Sequence, residues 1–373
     1  MKVAAVICEY NPFHNGHRYQ IEMIKRDFNA VFCVMSGSFV ERGDVAVFDK
    51  WTRTNAAIKG GADLILELPV RYSLSSANGF ARGAVKTVIS CGIADALVFG
   101  SETGSIEKLS EAADILLSEP PEISQKIKML LSEGMSFPMA KQTAFSDLID
   151  SDILIKPNNI LATEYIMALK EEKSPIVPIT HSRTAEHLGG FSENGHASAS
   201  YIREKIKNGE NFEDFCPYDY ADCEIYDINR LTDIFKYLLI TRGETLFADI
   251  PDAEDGLFNR FLKFSDLGSF EEIINASVTK RYTRSYLSRV ALRAVLGICG
   301  GYRPPEYLRV LGANAVGRTL LSEMKKTATL PIVTKVADFP KTLLEEDIRA
   351  TDIASLCGKT KKGRDFLISP IMI

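Results

Sequence analysis

The first hundred residues alternate short, nearly continuous apolar runs with helix-like segments. The apolar runs lie at Val3–Cys8, 30–35, 63–68 and 94–99, and the helix-like segments between them at 16–27, 50–60 and 75–90. Such runs are typical of strands that are buried on both faces, and strands joined by helices form parallel sheets. Because the crossover connections are right-handed, the sequence predicts an α/β fold with a Rossmann-like, doubly wound parallel sheet.

Three unusual loops follow predicted strands. They lie at 11–17 after the first strand, 36–43 after the second and 100–104 after the fourth. Ligands of a doubly wound sheet bind beyond the carboxyl ends of its strands. We therefore expect the functional site to be built from these loops.

The first of these loops reads Glu9-Tyr-Asn-Pro-Phe-His14-Asn-Gly16-His17 and leads into a predicted helix. Amides at the start of a helix attract phosphates, because they carry partial positive charge and lack internal partners. Histidines three positions apart lie on one side of a helix, and both can donate hydrogen bonds to phosphate oxygens. Gly16 allows close approach of a nucleotide, and Pro12 sets the turn that ends the strand. The turn predicts His14 and His17 as catalytic residues for attack on the α-phosphate of ATP.

Two other interpretations of this turn are weaker. Histidines at this spacing often lie on a helix surface, but the chain has only five histidines and two of them fall in this turn. A metal site would need carboxylate or thiolate ligands nearby, and Glu9 is the only acidic neighbour. The sequence therefore predicts no protein metal site.

A second phosphate-binding element is predicted where a helix opens near residue 198. Ser198 and Ser200 can hold a phosphate, and Arg203, one turn into the helix, can reach a phosphate with two hydrogen bonds. The alternative is a simple serine cap with a surface arginine, and the sequence alone leaves both open.

An acidic segment with Pro and Gly at 208–222 is predicted to be the linker between two regions of the chain. The first is an ATP-binding catalytic domain over 1–210, and the second is a mainly helical region over 220–373.

Between residues 277 and 326 the chain has ten basic residues against two acidic ones, interleaved with tyrosines. Arginine and tyrosine together suit RNA phosphates and unstacked bases. The residues predicted to bind tRNA are Lys280, Arg281, Arg284, Arg289 and Arg293; the alternative is a solvated helix face.

The composition of the chain indicates the cellular compartment in which the protein is expected. The net charge is −5, and the seven cysteines show no paired spacing, so reduced thiols are expected. The chain opens directly on a strand, and no apolar run is long enough to span a membrane. We expect a soluble, cytoplasmic protein, with neither a membrane nor DNA as a partner.

Ten segments of the sequence together resemble the bacterial tRNA(Met) cytidine acetate ligase family, over roughly residues 1–335. In order they are EYNPFHNGH, MSGSFVERG, DKWTRTNAA, DLILELP, FARGAV, VFGSE, KPNNILATEY, SASYIRE, KRYTRSYLSR and RVLGANAVGR. The set is far more specific than the His-x-Gly-His turn, which is shared across the nucleotidylyltransferase superfamily. The resemblance implies an enzyme that activates acetate with ATP as acetyl-adenylate. It further implies transfer of the acetyl group to N4 of the wobble cytidine of elongator tRNA(Met), which gives N4-acetylcytidine.

The resemblance also implies the residues of the ATP site. These are Gly100, Asn158 (with Asn159 as an adjacent rival), Arg183 and the segment 7–20, namely Ile7, Cys8, Glu9, Tyr10, Asn11, Pro12, Phe13, His14, Asn15, Gly16, His17, Arg18, Tyr19 and Gln20. Mg²⁺ is expected to accompany the ATP phosphates, although the sequence offers no dedicated carboxylate cluster for it.

Two rival functions remain at this point. One is an adenylyltransferase that joins AMP to a small phosphate ester, as in coenzyme A and NAD synthesis. It would share the His14–His17 turn but would leave the basic helical region unexplained. The other is a tRNA-binding factor without catalysis, and the intact His14, Gly16 and His17 argue against it.

Overall fold

The computed structural model describes residues 1–182 and 197–373. In the first hundred residues the elements are β1 (Val3–Cys8), α1 (Asn15–Ile24), β2 (Ala30–Ser36), β3 (Phe39–Val40), β4 (Asp44–Val45), α2 (Lys50–Lys59), β5 (Leu64–Leu68), α3 (Val70–Ser73), α4 (Ala77–Cys91) and β6 (Ala96–Ser101). The four predicted strands correspond to β1, β2, β5 and β6, so the α/β prediction is confirmed. The small strands β3 and β4 form a separate antiparallel hairpin.

The middle of the chain adds helices and one strand to this framework. The elements are α5 (Ile106–Ser118), α6 (Pro121–Ser132), α7 (Phe137–Phe145), α8 (Ser151–Ile155), α9 (Pro157–Glu171), β7 (Val177–Ser182) and α10 (Ala199–Asn208). Strand β7 pairs in parallel with β6. None of the helices in the described ranges is both long and apolar enough to cross a bilayer.

The main sheet has the strand order β5-β2-β1-β6-β7 in its parallel part. Strand β2 lies inside this sheet and is buried at every position, which explains the continuous apolar run in the sequence. One face packs against α4, α5 and α9 and the other against α1, α2 and α10. In a parallel sheet all carboxyl ends lie at one edge, so the loops after β1, β2 and β6 are neighbours there.

The region after residue 220 begins with four helices, α11 (Thr232–Arg242), α12 (Leu257–Lys263), α13 (Phe270–Ser277) and α14 (Arg284–Leu296). Their apolar side chains form a second core, which also includes Phe39 and Val45 of the β3–β4 hairpin and Val70 and Leu74 around α3. The helical region is therefore packed directly onto the loops at the carboxyl edge of the sheet.

The C-terminal chain then returns to the main sheet. It forms β8 (Leu308–Ala313), α15 (Ala315–Thr327), β9 (Ile332–Val333), α16 (Lys341–Ala354), α17 (Arg364–Leu367) and β10 (Ile371–Met372). Strand β8 pairs antiparallel with β5, while β9 and β10 pair in parallel with β8. The division into 1–210 and 220–373 stays a prediction about domains, but the second region supplies three strands to the sheet of the first.

A buried network of charged side chains holds the C-terminal chain against the main sheet. The ammonium of Lys50 lies 2.7 Å from Glu67 and 2.8 Å from Asp365, and Arg309 lies 3.0 Å from Glu67 and 2.6 Å from Asp365. All four side chains are nearly inaccessible to solvent. Although burial raises the pKa of Asp365, Lys50 and Arg309 hold it below its usual value. The network joins α2 and β5 to β8 and α17, because two cations and two anions balance one another.

We expect Lys50→Met to lower the free energy of unfolding by about 3–5 kcal/mol, because it leaves two buried carboxylates with a single cation. Urea unfolding measures the change. The matched control is Lys326→Met in the exposed pair with Glu323, in which both side chains are more than half exposed; it should shift stability by less than about 0.5 kcal/mol. Equal effects of the two substitutions would contradict the role given to the network.

Candidate active site

The His-x-Gly-His turn caps helix α1 with two imidazoles. His14 is the N-cap residue, and its Nδ1 accepts a hydrogen bond from the backbone N–H of Gly16 at 3.1 Å. The Nδ1 of His17 accepts from the backbone N–H of His14 at 3.3 Å, which completes a capping box made of histidines. The two rings stack with centroids 3.7 Å apart. The structure thus places both rings side by side, as their spacing predicts.

The cap also fixes the tautomer of each ring. A neutral imidazole that accepts at Nδ1 carries its proton on Nε2. Both histidines therefore have an Nε2–H donor on the side of the ring away from the helix backbone. Two parallel donors next to helix-start amides suit an oxyanion with several oxygens.

The structure shows a reason for glycine at position 16 that the sequence does not predict. A Cβ at this position would lie 2.9 Å from Cε1 and 3.1 Å from Nδ1 of His14. Such contacts are too short for carbon, so a side chain at residue 16 would push the His14 ring out of its cap. The glycine therefore keeps the His14 ring in its cap, while close approach of a nucleotide at this position stays a prediction.

Contacts from three directions hold the loop that carries the histidines. The Oδ1 of Asn11 accepts from the backbone N–H of Val47 at 2.8 Å, and the hydroxyl of Tyr220 donates to the carbonyl of Phe13 at 3.1 Å. Tyr10 adopts a positive φ of 48° and packs its ring against Phe13 and His17. The loop is therefore held by contacts within the protein.

A buried arginine that sequence reasoning missed joins two of the predicted loops. Arg53 donates to the carbonyls of Phe48 at 3.0 Å, Glu9 at 2.6 Å and Ser36 at 3.0 Å, and also to that of Gly37. It lies in the DKWTRTNAA segment, whose two cationic residues, Lys50 and Arg53, are both buried on helix α2, although nothing in that sequence pattern shows their burial. Arg53 holds the loop after β1 against the loop after β2.

The loop after β6 is tied to the start of helix α9. The carboxylate of Glu102 accepts hydrogen bonds from the backbone N–H groups of Asn158 and Asn159 and from Nδ2 of Asn158 at 2.7 Å. Asn159 is fully buried, and its Oδ1 accepts from the backbone N–H of Thr103. Asn159 is thus a structural residue, while Asn158 is half-buried beside the end of β6, where Gly100 lies. Strands β1 and β6 are neighbours, so this loop adjoins the histidine turn.

Arg203 reaches the histidine loop from α10. Its Nη1 donates to the carbonyl of Asn11 at 2.7 Å and its Nη2 to the hydroxyl of Ser200 at 3.3 Å. The hydroxyl of Ser198 accepts from the backbone N–H of Tyr201, so Ser198 acts as a helix cap. Arg183 lies outside the described residues.

The rest of segment 7–20 divides into an inner and an outer part. Ile7, Cys8 and Glu9 are half-buried, and the carboxylate of Glu9 accepts from the backbone N–H of Glu41 at 2.7 Å. Burial raises the pKa of the Cys8 thiol, so it is not an activated nucleophile. In the first turns of α1, Arg18 pairs with Glu22 and Tyr19 is half-exposed.

The five basic residues predicted to bind tRNA do not form one surface. Lys280, Arg281 and Arg284 are exposed, and Arg281 and Arg284 pair with Glu254 and Glu271. Arg293 is 4% exposed and donates to Ser75 and to the carbonyl of Pro251. The prediction that Arg293 contacts tRNA is therefore wrong, because its guanidinium is enclosed by protein.

Arg289, like Arg293, is bound by protein acceptors. Its guanidinium is 14% exposed and donates to the carbonyl and the carboxylate of Glu41. Arg289 and Arg293 are four positions apart, so helical periodicity predicts that they lie on the same face of α14. The sequence does not show which acceptors they contact there.

No group of three or more His, Cys, Asp or Glu side chains within 1–182 and 197–373 is arranged to hold a metal ion. The acidic residues near the histidine turn, Glu9 and Glu41, are instead engaged with backbone N–H groups or with arginine.

A family model, related sequences and solved structures are all similar to this chain over nearly its whole length. The model of the HIGH Nucleotidyl Transferase family matches residues 1–366. The tRNA(Met) cytidine acetate ligases of Clostridium perfringens (strain ATCC 13124) and Thermoanaerobacter sp. (strain X514) are 36% and 38% identical to this chain, over 100% and 98% of both sequences. Crystal structures of Thermotoga maritima TmcAL, one apo and one bound with alpha-thio ATP, are 31% identical over 100% of both chains, each with a TM-score of 0.89.

The cap formed by His14 can be separated from its imidazole. Asparagine is a good N-cap residue and alanine is a poor one, so His14→Asn should be more stable than His14→Ala by about 1 kcal/mol. Both variants lose the ring stack with His17, and the difference in their free energies of unfolding in urea therefore reports the cap alone. Equal stability of the two variants would show that the cap does not stabilise α1.

Proposed function

Because the chain belongs to the tRNA(Met) cytidine acetate ligase family of HIGH nucleotidyl transferases, we propose that it acetylates tRNA(Met) with acetate and ATP. The proposal is supported most directly by the two stacked histidines at the start of α1, whose Nδ1 atoms are used by the cap. This arrangement provides a pair of Nε2–H donors where the phosphates of ATP would lie. Full-length similarity to ligases with this name supports the acyl substrate and the RNA.

The reaction proceeds in two steps. An acetate oxygen attacks the α-phosphorus of ATP, the bond to the β-phosphate oxygen breaks, and pyrophosphate leaves, which gives acetyl-adenylate. The N4 amine of the wobble cytidine of elongator tRNA(Met) then attacks the acetyl carbonyl, loses a proton and releases AMP. The product is N4-acetylcytidine, and no covalent enzyme intermediate is required.

His14 and His17 stabilise the charge that develops on the phosphate oxygens during the first step. Donors that are already oriented do this without rearrangement, and for this reason a rigid cap suits the task. The amides at the start of α1 add to the effect. Arg203, fixed on the carbonyl of Asn11, is close enough to the loop to contribute positive charge.

The remaining nucleotide contacts come from the neighbouring loops. We assign the segment 7–20, Gly100, Asn158 and Arg183 to ATP, with Asn158 rather than Asn159 as the contact because Asn159 is buried and occupied. Glu102 positions Asn158 by accepting its side-chain amide. Mg²⁺ would enter with ATP, held by the phosphates rather than by a carboxylate cluster of the protein.

The exposed basic residues at the start of α14 are the proposed contact for tRNA. Lys280, Arg281 and Arg284 lie together with Tyr282 and Tyr286, whose rings stack with centroids 5.6 Å apart. Arginine pairs with phosphates, and tyrosine faces accept unpaired bases.

We expect the wild-type protein to convert ATP, acetate and tRNA(Met) into AMP, pyrophosphate and acetylcytidine. His17→Ala should reduce the rate about 10²-fold, because one oriented donor to the transition state is lost. Mass spectrometry of nucleosides and an AMP assay measure both products. Arg26→Ala, an exposed change beyond the far end of α1, is the control and should react at the wild-type rate.

Two outcomes would contradict the proposal. If acetyl-coenzyme A supports acetylation while ATP with acetate does not, the activation step is wrong. If AMP is joined to a phosphorylated vitamin precursor and tRNA is unchanged, the chain is an adenylyltransferase of small phosphate esters.

Glu102→Gln tests the positioning of Asn158. A glutamine keeps one acceptor but cannot accept three hydrogen bonds on two oxygens, so Asn158 is held less firmly. We expect the KM for ATP to rise by roughly fivefold, with kcat nearly unchanged, in acetate-dependent exchange of pyrophosphate into ATP. A fall in kcat without a change in KM would mean that Glu102 acts on the chemical step instead.

A further inference from the structure

The β3–β4 hairpin, residues 39–45, lies at the carboxyl edge of the sheet directly after β2. Its turn reads Glu41-Arg42-Gly43 and belongs to one of the three loops in which the sequence predicts a functional site. None of the roles proposed above uses it. The hairpin lies between the histidine loop on one side and helix α14 on the other.

Both neighbours hold the turn by its backbone. The N–H of Glu41 donates to the carboxylate of Glu9 at 2.7 Å, and the carbonyl of Glu41 accepts from Arg289 at 3.0 Å. On the other side of the tip, the hydroxyl of Ser288 donates to the carbonyl of Gly43 at 2.6 Å. The turn is therefore fixed at residues 41 and 43.

Gly43 shows how closely α14 approaches. It has a φ of +79°, and a Cβ there would lie 2.7 Å from Cβ of Ser288 and 2.8 Å from the backbone nitrogen of Arg289. A larger residue would lift the turn off the helix. The close contact means that the direction of residue 42 is set by α14 as well as by the hairpin.

Arg42 stands between these two fixed residues and is exposed. Its guanidinium makes no hydrogen bond and no ion pair with any residue in the described parts of the chain. This contrasts with Arg53, Arg203, Arg289 and Arg293 around it, each of which is bound to protein acceptors. A fixed backbone whose tip carries an exposed cation without a hydrogen bond to protein is suited to an external anion.

The charged side chains around Arg42 also favour binding of an external anion. Burial lowers the pKa of the Arg203 guanidinium, and the positive charge of Arg42 lowers it further, against Glu9 and Asp44, which raise it. The two guanidinium groups thus repel each other, while Arg42 is attracted to Glu41, where burial raises the pKa of the carboxyl and the charges of Arg289 and Arg42 lower it. An anion placed beside them would relieve this repulsion.

We propose that Arg42 binds a backbone phosphate of the RNA substrate where the RNA passes from α14 to the histidine turn. The inference rests on the proposed function, since it takes RNA as the second substrate. RNA is favoured over ATP because Arg42 is exposed and its turn is held by the helix at whose start the exposed Lys280, Arg281 and Arg284 lie. Arg203 already occupies the position that contacts the histidine loop directly.

The test measures RNA binding and adenylate chemistry separately. A transcript of elongator tRNA(Met) is titrated with wild-type protein, Arg42→Ala, Arg42→Lys and the control Arg26→Ala at several salt concentrations. Acetate-dependent exchange of pyrophosphate into ATP is measured without RNA. Arg42→Ala should weaken tRNA binding roughly fivefold and reduce the slope of log Kd against log salt by about 1.

The other variants sharpen this result. Arg42→Lys should keep the salt slope because the charge remains, Arg26→Ala should bind as the wild type does, and pyrophosphate exchange should be the same in all four proteins. Wild-type affinity and slope in Arg42→Ala would overturn the inference. A raised KM for ATP in the exchange reaction, with tRNA binding unchanged, would also overturn it and would assign Arg42 to the triphosphate.

Failure of this inference and failure of the proposed function give different results. If the wild-type protein binds tRNA but exchanges no pyrophosphate with acetate present, acetate activation is wrong, while the binding titration still decides the role of Arg42.

Discussion

The candidate site depends on one buried cation. Arg53 hydrogen-bonds four backbone carbonyls, which belong to the loop after β1, the loop after β2 and the chain entering α2. Burial lowers the pKa of this guanidinium, and the charges of Asp49 and Glu9 raise it, so the cation is kept by its surroundings. A planar group with five donors can join several carbonyls at once, which an ammonium cannot do with the same geometry. The histidine turn and the hairpin therefore have a fixed distance from each other.

A second constraint makes the helical region part of the same structure. The Lys50, Glu67, Arg309 and Asp365 side chains balance their charges in the interior, and the core of α11–α14 includes side chains from the hairpin and α3. Removing one member of such a network leaves an unbalanced buried charge. The C-terminal chain thus supports the loops that form the site, and RNA bound to it would lie on a rigid neighbour of the histidine turn.

Local patterns were sufficient to predict the strands and the histidine turn, and insufficient for long-range contacts. The runs at 3–8 and 30–35 are apolar because β1 and β2 are buried on both faces, so composition and structure agree there. Strand β8 was not predicted to join the sheet, because its partner β5 is some 240 residues away in the chain and antiparallel pairing leaves no local signal. Arg293 is predicted to bind tRNA because it belongs to a basic stretch interleaved with tyrosines, and no local pattern shows that other elements supply its acceptors.

The basic residues of the helical region illustrate why a count of charges overstates a binding surface. Arg289 and Arg293 are directed inward and hold the hairpin and the chain around α3, whereas Lys280, Arg281 and Arg284 face solvent. Arg289 acts on the hairpin only through protein contacts: it donates to Glu41, whose backbone N–H in turn donates to Glu9 of the histidine loop. Positive charge at the site edge is therefore placed by positive charge in the interior, and the same contacts set the distance between the region proposed to hold RNA and the donors proposed to act on ATP.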